Sequence, residues 1–105
     1  MSERWHDIGI AAEYAPGTCH VVDIGGREIA VANADGRLYA IDNVCTHDGG
    51  ELATGSIENT EIICPRHGAR FCLKTGAALT PPAYEPVRTH AVRCADGRVA
   101  VRVSQ

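Results

Sequence analysis

The chain has 105 residues, of which 45% are hydrophobic and 22% charged, with a net charge of −3 and a pI near 5.9. That is the length of one domain with one core, and the balance is that of a globular chain. The acidic charge argues against a nucleic-acid binder, and no window approaches the roughly 18 apolar residues of a membrane span.

The opening MSERWHDIGIAAEY has no basic region followed by a long apolar run, so a secretory leader is not expected and the protein is read as soluble and cytoplasmic. Within it, Arg4–Ile10 makes a first strand. Cys19–Ile24 and Arg27–Ala34 flank Gly25-Gly26, and Arg37–Asp42 follows Asp35-Gly36. Gly-Gly and Asp-Gly between β-rich runs signal hairpins, because the tight turns need positive φ. From Asn43 to about Glu85 the strands shorten and the loops fill with Gly, Pro and Thr; Thr80–Pro86 then leads back. His90–Cys94 and Arg98–Val103 flank Ala95-Asp96-Gly97. In the last strand Val99, Val101 and Val103 face one way and Arg98, Ala100 and Arg102 the other, as in a half-buried strand. No helix of ten or more residues is expected. The reading is all-β: a base of antiparallel sheet made by 1–42 and 86–105, with a loop-rich insert, 43–85, in one domain.

Five cysteines (Cys19, Cys45, Cys64, Cys72, Cys94) in such a chain point to metal binding or plain burial rather than a disulfide framework. Two lie beside histidines in the insert. Cys45-x-His47 is followed, after 16 residues, by Cys64-x-x-His67. Three readings of these residues compete. Each Cys can be a small buried hydrophobe and each His a satisfied polar group. The four can hold a structural zinc, although zinc modules pair like with like, whereas here each half is mixed. Or they can hold a [2Fe–2S] centre in which two His replace two Cys on one iron.

The segments CTH (Cys45–His47) and CPRHG (Cys64–Gly68) resemble the two boxes of the Rieske proteins, and the likeness extends over the whole chain. The resemblance implies a Rieske-like fold with a base and a cluster-binding subdomain. It implies one [2Fe–2S] cluster, with Cys45 and Cys64 on an inner iron and His47 and His67 on an outer one. It also implies a proline loop, Pro81-Pro82, over the cluster. The high-potential members have an inter-loop disulfide, whose positions are Gly50 and Arg66 here, and Ser and Tyr hydroxyls, whose positions are Ala69 and Phe71. These departures resemble instead the ferredoxins of bacterial ring-hydroxylating dioxygenases. Fewer hydrogen bonds to sulfur lower the potential.

That likeness implies a one-electron carrier and not an enzyme, monomeric, which accepts electrons from a flavin-containing ferredoxin reductase and passes them to a terminal dioxygenase. A small subunit of a nitrite reductase is the alternative; a chain of this length is not expected to be a terminal oxygenase itself. Gly49, Gly50 and Gly68 are expected to let backbone approach the cluster. Arg66 adds positive charge beside it, meets a partner, or is simply solvated, and Asp48, Glu51 and Lys74 are either a docking rim or solvated loop residues. Phe71 is expected beneath the loops and Trp5 as an anchor for the first strand. His6, His20 and His90 are read as non-ligands, and Cys19, Cys72 and Cys94 as small packed hydrophobes.

Overall fold

The computed structural model describes residues 4–104; the first three residues, part of the start read as leaderless, and Gln105 lie outside the described residues. Nine strands form among those described: β1 (His6–Ile10), β2 (Cys19–Ile24), β3 (Arg27–Ala34), β4 (Arg37–Asp42), β5 (Ser56–Glu58), β6 (Glu61–Ile63), β7 (Arg70–Cys72), β8 (Thr89–Ala95) and β9 (Arg98–Arg102). The one helical element among the described residues is a 3-10 turn, Ala11–Glu13. Six strands make an antiparallel sheet in the order β1-β9-β8-β4-β3-β2, and three make a second sheet, β5-β6-β7. The all-β expectation therefore holds.

The two-residue hairpins form where the Gly-Gly and Asp-Gly signals stand. Gly25 and Gly26 have φ of 63° and 86°, and Asp35-Gly36 and Asp96-Gly97 also take positive φ. Such turns match the right-handed twist of the strands they join. The first strand starts at His6 rather than Arg4, and Trp5 lies alongside it, its ring under the guanidinium of Arg93 at 4.4 Å and of Arg102 at 5.0 Å. The last strand ends at Arg102, where its pairing with β8 stops at Ala91; Val103 is half-buried beyond it.

β3 explains how two halves share one small body. Ile29 and Val31, fully buried, face a core with Tyr14, Ala40, Val99 and Val101. Ala30, Ala32 and Ala34 face the other way, into a core with Leu52, Ile62, Phe71, Leu73 and the two box cysteines. Alternation puts successive side chains on opposite faces. Three small residues on one face let the insert come down close on the sheet.

The insert leaves from β4 and returns into β8, and these are neighbours: Ala40 pairs with His90 and Ile41 with Thr89. Asn43 holds the departure point. Its Oδ1 accepts the amides of Leu52 (3.0 Å) and Ala53 (2.8 Å), while Nδ2 donates to Glu28 and Glu51 (both 3.2 Å). At the return, buried His90 has Nε2 2.8 Å from Asp42 Oδ1, and its Nδ1 accepts the Ser104 amide at 3.0 Å. That fixes the tautomer, with the proton on Nε2. In the small sheet Glu58 lies opposite Glu61, and Arg70 reaches both, at 3.1 and 3.2 Å. Without it two like charges would face each other across the strands.

Candidate metal centre

Three hairpin loops of the insert share one frame. The Cys45 amide donates to Gly50 O and the Gly49 amide to Cys45 O, both at 2.7 Å. The Cys64 amide donates to Ala69 O (2.7 Å) and the Gly68 amide to Cys64 O (3.0 Å). Cys72 repeats the pattern with Ala77 O (2.9 Å) and the Gly76 amide (2.7 Å). Gly49, Gly68 and Gly76 have φ of 77°, 77° and 80°. The frame is Cys-x-x-x-Gly, with glycine where the loop needs a left-handed residue. This accounts for the unequal spacings: Cys-x-His and Cys-x-x-His are two placements of His inside the same loop.

The two boxes sort their donors by depth. Cys45 and Cys64 are each 1% exposed, in the core with Phe71 and Ala69. His47 and His67 are exposed, their rings edge-on with centroids 5.2 Å apart. Burial pushes the Cys45 thiol above its ordinary range. Hydrogen bonds from the His47 and Asp48 amides oppose this, and the Cys64 thiol adds to the rise. As metal ligands the cysteines would act as thiolates, with the bound cation balancing their charge.

A carboxylate oxygen of Asp48 and the sulfurs of Cys45 and Cys64 all lie within 4.8 Å of one another, and neither imidazole joins that group. A pair of sulfurs below and a pair of imidazoles above suits a binuclear centre with two kinds of metal position, and is less suited to one tetrahedral ion.

The surroundings are tied to these loops. Thr46 Oγ1 donates to Glu85 O at 2.7 Å, and Ala83 is buried in the same core as the two cysteines, so the residues just after Pro81-Pro82 are tied to the first box. Phe71 is fully buried in that core, as expected, and Ala69 is 1% exposed.

Other expectations change. Asp48 is not a free rim residue. Its side chain is 19% accessible although its backbone is exposed; Oδ1 accepts the Gly50 amide (2.8 Å) and Oδ2 meets Arg66 Nε (2.8 Å). The Gly50 amide, and after it Arg66, hold this carboxyl below the usual carboxylate range. Arg66 thus enters as half of an ion pair between the two loops. Glu51 accepts from Asn43, while Lys74 is exposed on the third loop.

Among the remaining cysteines, Cys94 is exposed and not packed, because it lies at the turn end of the β8–β9 hairpin, paired with Val99 two residues before Asp96-Gly97. Cys19 is packed against the insert core, and burial, with Glu51 adding, pushes its thiol up to about 11. Cys72 is half-buried, and the Thr75 hydroxyl, with the Thr75 and Lys74 amides, pulls its thiol down. His6 and His20 lie outside the boxes, His20 edge-on to Tyr14. Asn43 is the residue the sequence reading missed. It sits two positions before the first box cysteine, and nothing in its immediate sequence marks it.

The profile of the Rieske [2Fe-2S] domain matches residues 4–91. The chain belongs to the Rieske family. Its cofactor is accordingly a Rieske-type [2Fe–2S] cluster, which the donor set fits. Over 104 residues it is 36% identical to the ferredoxin component of the naphthalene 1,2-dioxygenase system of Pseudomonas aeruginosa, spanning 99% of this chain and 100% of that one. Among solved structures, this Rieske domain resembles a ferredoxin of Sphingomonas yanoikuyae B1 (TM-score 0.88, 32% identity, 96% and 100% covered). It also resembles a chain of the complex of reduced oxygenase and oxidized ferredoxin in carbazole 1,9a-dioxygenase (TM-score 0.90, 28% identity, 99% and 97% covered). Among the described residues no helix is long and apolar enough to cross a membrane.

Proposed function

We propose that the protein is the one-electron carrier of an aromatic-ring dioxygenase system, acting in the cytoplasm as a monomer between a flavin-dependent reductase and a terminal dioxygenase. It is a ferredoxin component and not the enzyme that activates oxygen. The observation that carries the reading is the segregated donor set: Cys45 and Cys64 buried, His47 and His67 exposed at the same end. Cys45 and Cys64 would hold one iron as thiolates, and His47 and His67 the other as neutral imidazoles. When bound, the cluster supplies a single reversible electron.

The chain's own residues do the rest. The hydrophobic floor of Phe71, Ile62 and Leu52 keeps water from the thiolate side. The exposed rings give a short route out to a docked partner. Ala69 and Phe71 bring no hydroxyl to the sulfurs, so the potential lies toward the lower part of the Rieske range. Domain organisation follows the same division: residues 1–42 and 86–105 form the base and 43–85 the cluster-binding insert.

The test is reconstitution. Purified protein is combined with a flavin-containing ferredoxin reductase, NADH and a terminal oxygenase of the naphthalene type, and product formation is followed. Product that depends on this protein supports the reading. Rapid reduction of the protein with no transfer onward to any oxygenase tried would contradict it.

A further inference from the structure

We propose that Asp48 and Arg66 form a compensating charge pair that sets the reduction potential of the site, with Asp48 lowering it and Arg66 restoring it. The proposal rests on the ligand reading above. Asp48 belongs to the first box loop and Arg66 to the second, and they meet at 2.8 Å. The carboxylate is not free to swing away, because Oδ1 is held by the Gly50 amide of its own loop. One carboxylate oxygen lies within 4.8 Å of both cysteine sulfurs; Oδ2 is also 3.6 Å from His67 Nδ1. Gly50 makes room for the crossing. A Cβ there would lie 2.7 Å from Arg66 Cδ and 3.0 Å from Asp48 Oδ1.

An ion pair whose cation is 63% exposed adds little to stability. Its consequence lies in where the charges sit. Reduction adds one negative charge to the site, so a fixed carboxylate beside the sulfurs opposes it and a guanidinium favours it. Asp48 completes the tight turn of the first box, and the loop thereby acquires a sheltered negative charge next to the electron. Arg66, reaching across from the other box, cancels it. Arg66 is therefore a positioning and tuning residue. The pair as a whole carries no net charge.

The experiment is protein-film voltammetry on cluster-loaded wild type, Arg66→Gln, Asp48→Asn, the double variant and Arg66→Lys, each checked for an intact cluster by EPR. Arg66→Gln is expected below wild type and Asp48→Asn above it. Each shift should be several-fold to about tenfold in the one-electron equilibrium constant, where tenfold is ~59 mV. The double variant falls between the singles, and Arg66→Lys stays near wild type. A pair that merely braces the loops would move both singles the same way; that result, or no shift in either, overturns the proposal. Should Arg66→Gln lose its cluster, Asp48→Asn and the double variant decide: Asp48→Asn above wild type with the double below it supports the pair, and any other order overturns it. A wild type without a Rieske signal refutes the ligand reading itself, and the pair with it.

Discussion

Replacing Asn43 by Ala tests how the first box is held on the sheet. The side chain is nearly buried and makes four hydrogen bonds, two of them accepted from the amides of Leu52 and Ala53. Leu52 is fully buried, so water has little access to its amide once Oδ1 is gone. An unmade bond to a buried donor costs about 1–3 kcal/mol. Two orphaned amides, one of them only half-buried, come to roughly 2–4 kcal/mol. In a domain this size that lowers the apparent midpoint by roughly 10–20 °C. The assay is thermal unfolding of the cluster-loaded protein at a fixed scan rate, by far-UV circular dichroism and visible absorbance together, since such unfolding is governed partly by rate. Visible bleaching should precede the far-UV loss, because the 45–50 loop is freed first. Asn43→Asp keeps the acceptor but sets a carboxylate against Glu28 and Glu51, so it should be destabilised at neutral pH and recover on acidification. A loss below about 1 kcal/mol in Asn43→Ala would show that the two amides find other partners, and would refute the role given to this residue.

Gly68→Ala and Gly76→Ala share the same backbone strain, about 1–2 kcal/mol, but a Cβ on Gly76 runs into the Val87 carbonyl whereas one on Gly68 meets open space. Gly76→Ala should therefore be clearly the less stable of the two in denaturant melts, and equal losses would contradict the packing. Ala69→Ser combined with Phe71→Tyr should raise the midpoint potential measured by voltammetry; an unchanged value refutes the assignment of low potential to these two positions. At pH 8, iodoacetamide should modify Cys72 well before Cys19. The Cys72 thiol is pulled down and so gives more thiolate, whereas Cys19, at about 11, stays protonated. Peptide mapping that finds equal rates would contradict this.

The parts legible in the sequence were those set by local rules. Gly25-Gly26, Asp35-Gly36 and Asp96-Gly97 state their turns because few residues tolerate positive φ, and the valines of β9 state their face by period two. The boxes were legible because four strong ligands within 23 residues have few other uses. What was not legible depended on contacts between distant segments. β3 reads as an ordinary strand, and only the insert folding over Ala30, Ala32 and Ala34 buries its second face. Asp48 and Arg66 read as solvated loop charges because their pairing requires the two loops to close on each other. Asn43 has no local signature, since its partners Leu52 and Glu28 come from either side of the box boundary. The shared Cys-x-x-x-Gly frame stands in plain letters three times, but the unequal His spacings of the two boxes mask it.

The central claim is that Cys45, Cys64, His47 and His67 hold one [2Fe–2S] cluster. EPR of the dithionite-reduced protein, on wild type and on His67→Cys, tests it most directly. The wild type should be coloured and give a signal with average g well below the free-electron value; His67→Cys should keep iron but move its potential sharply down, toward all-cysteine ferredoxins. A colourless wild type carrying stoichiometric zinc, with no signal on reduction, would contradict the account.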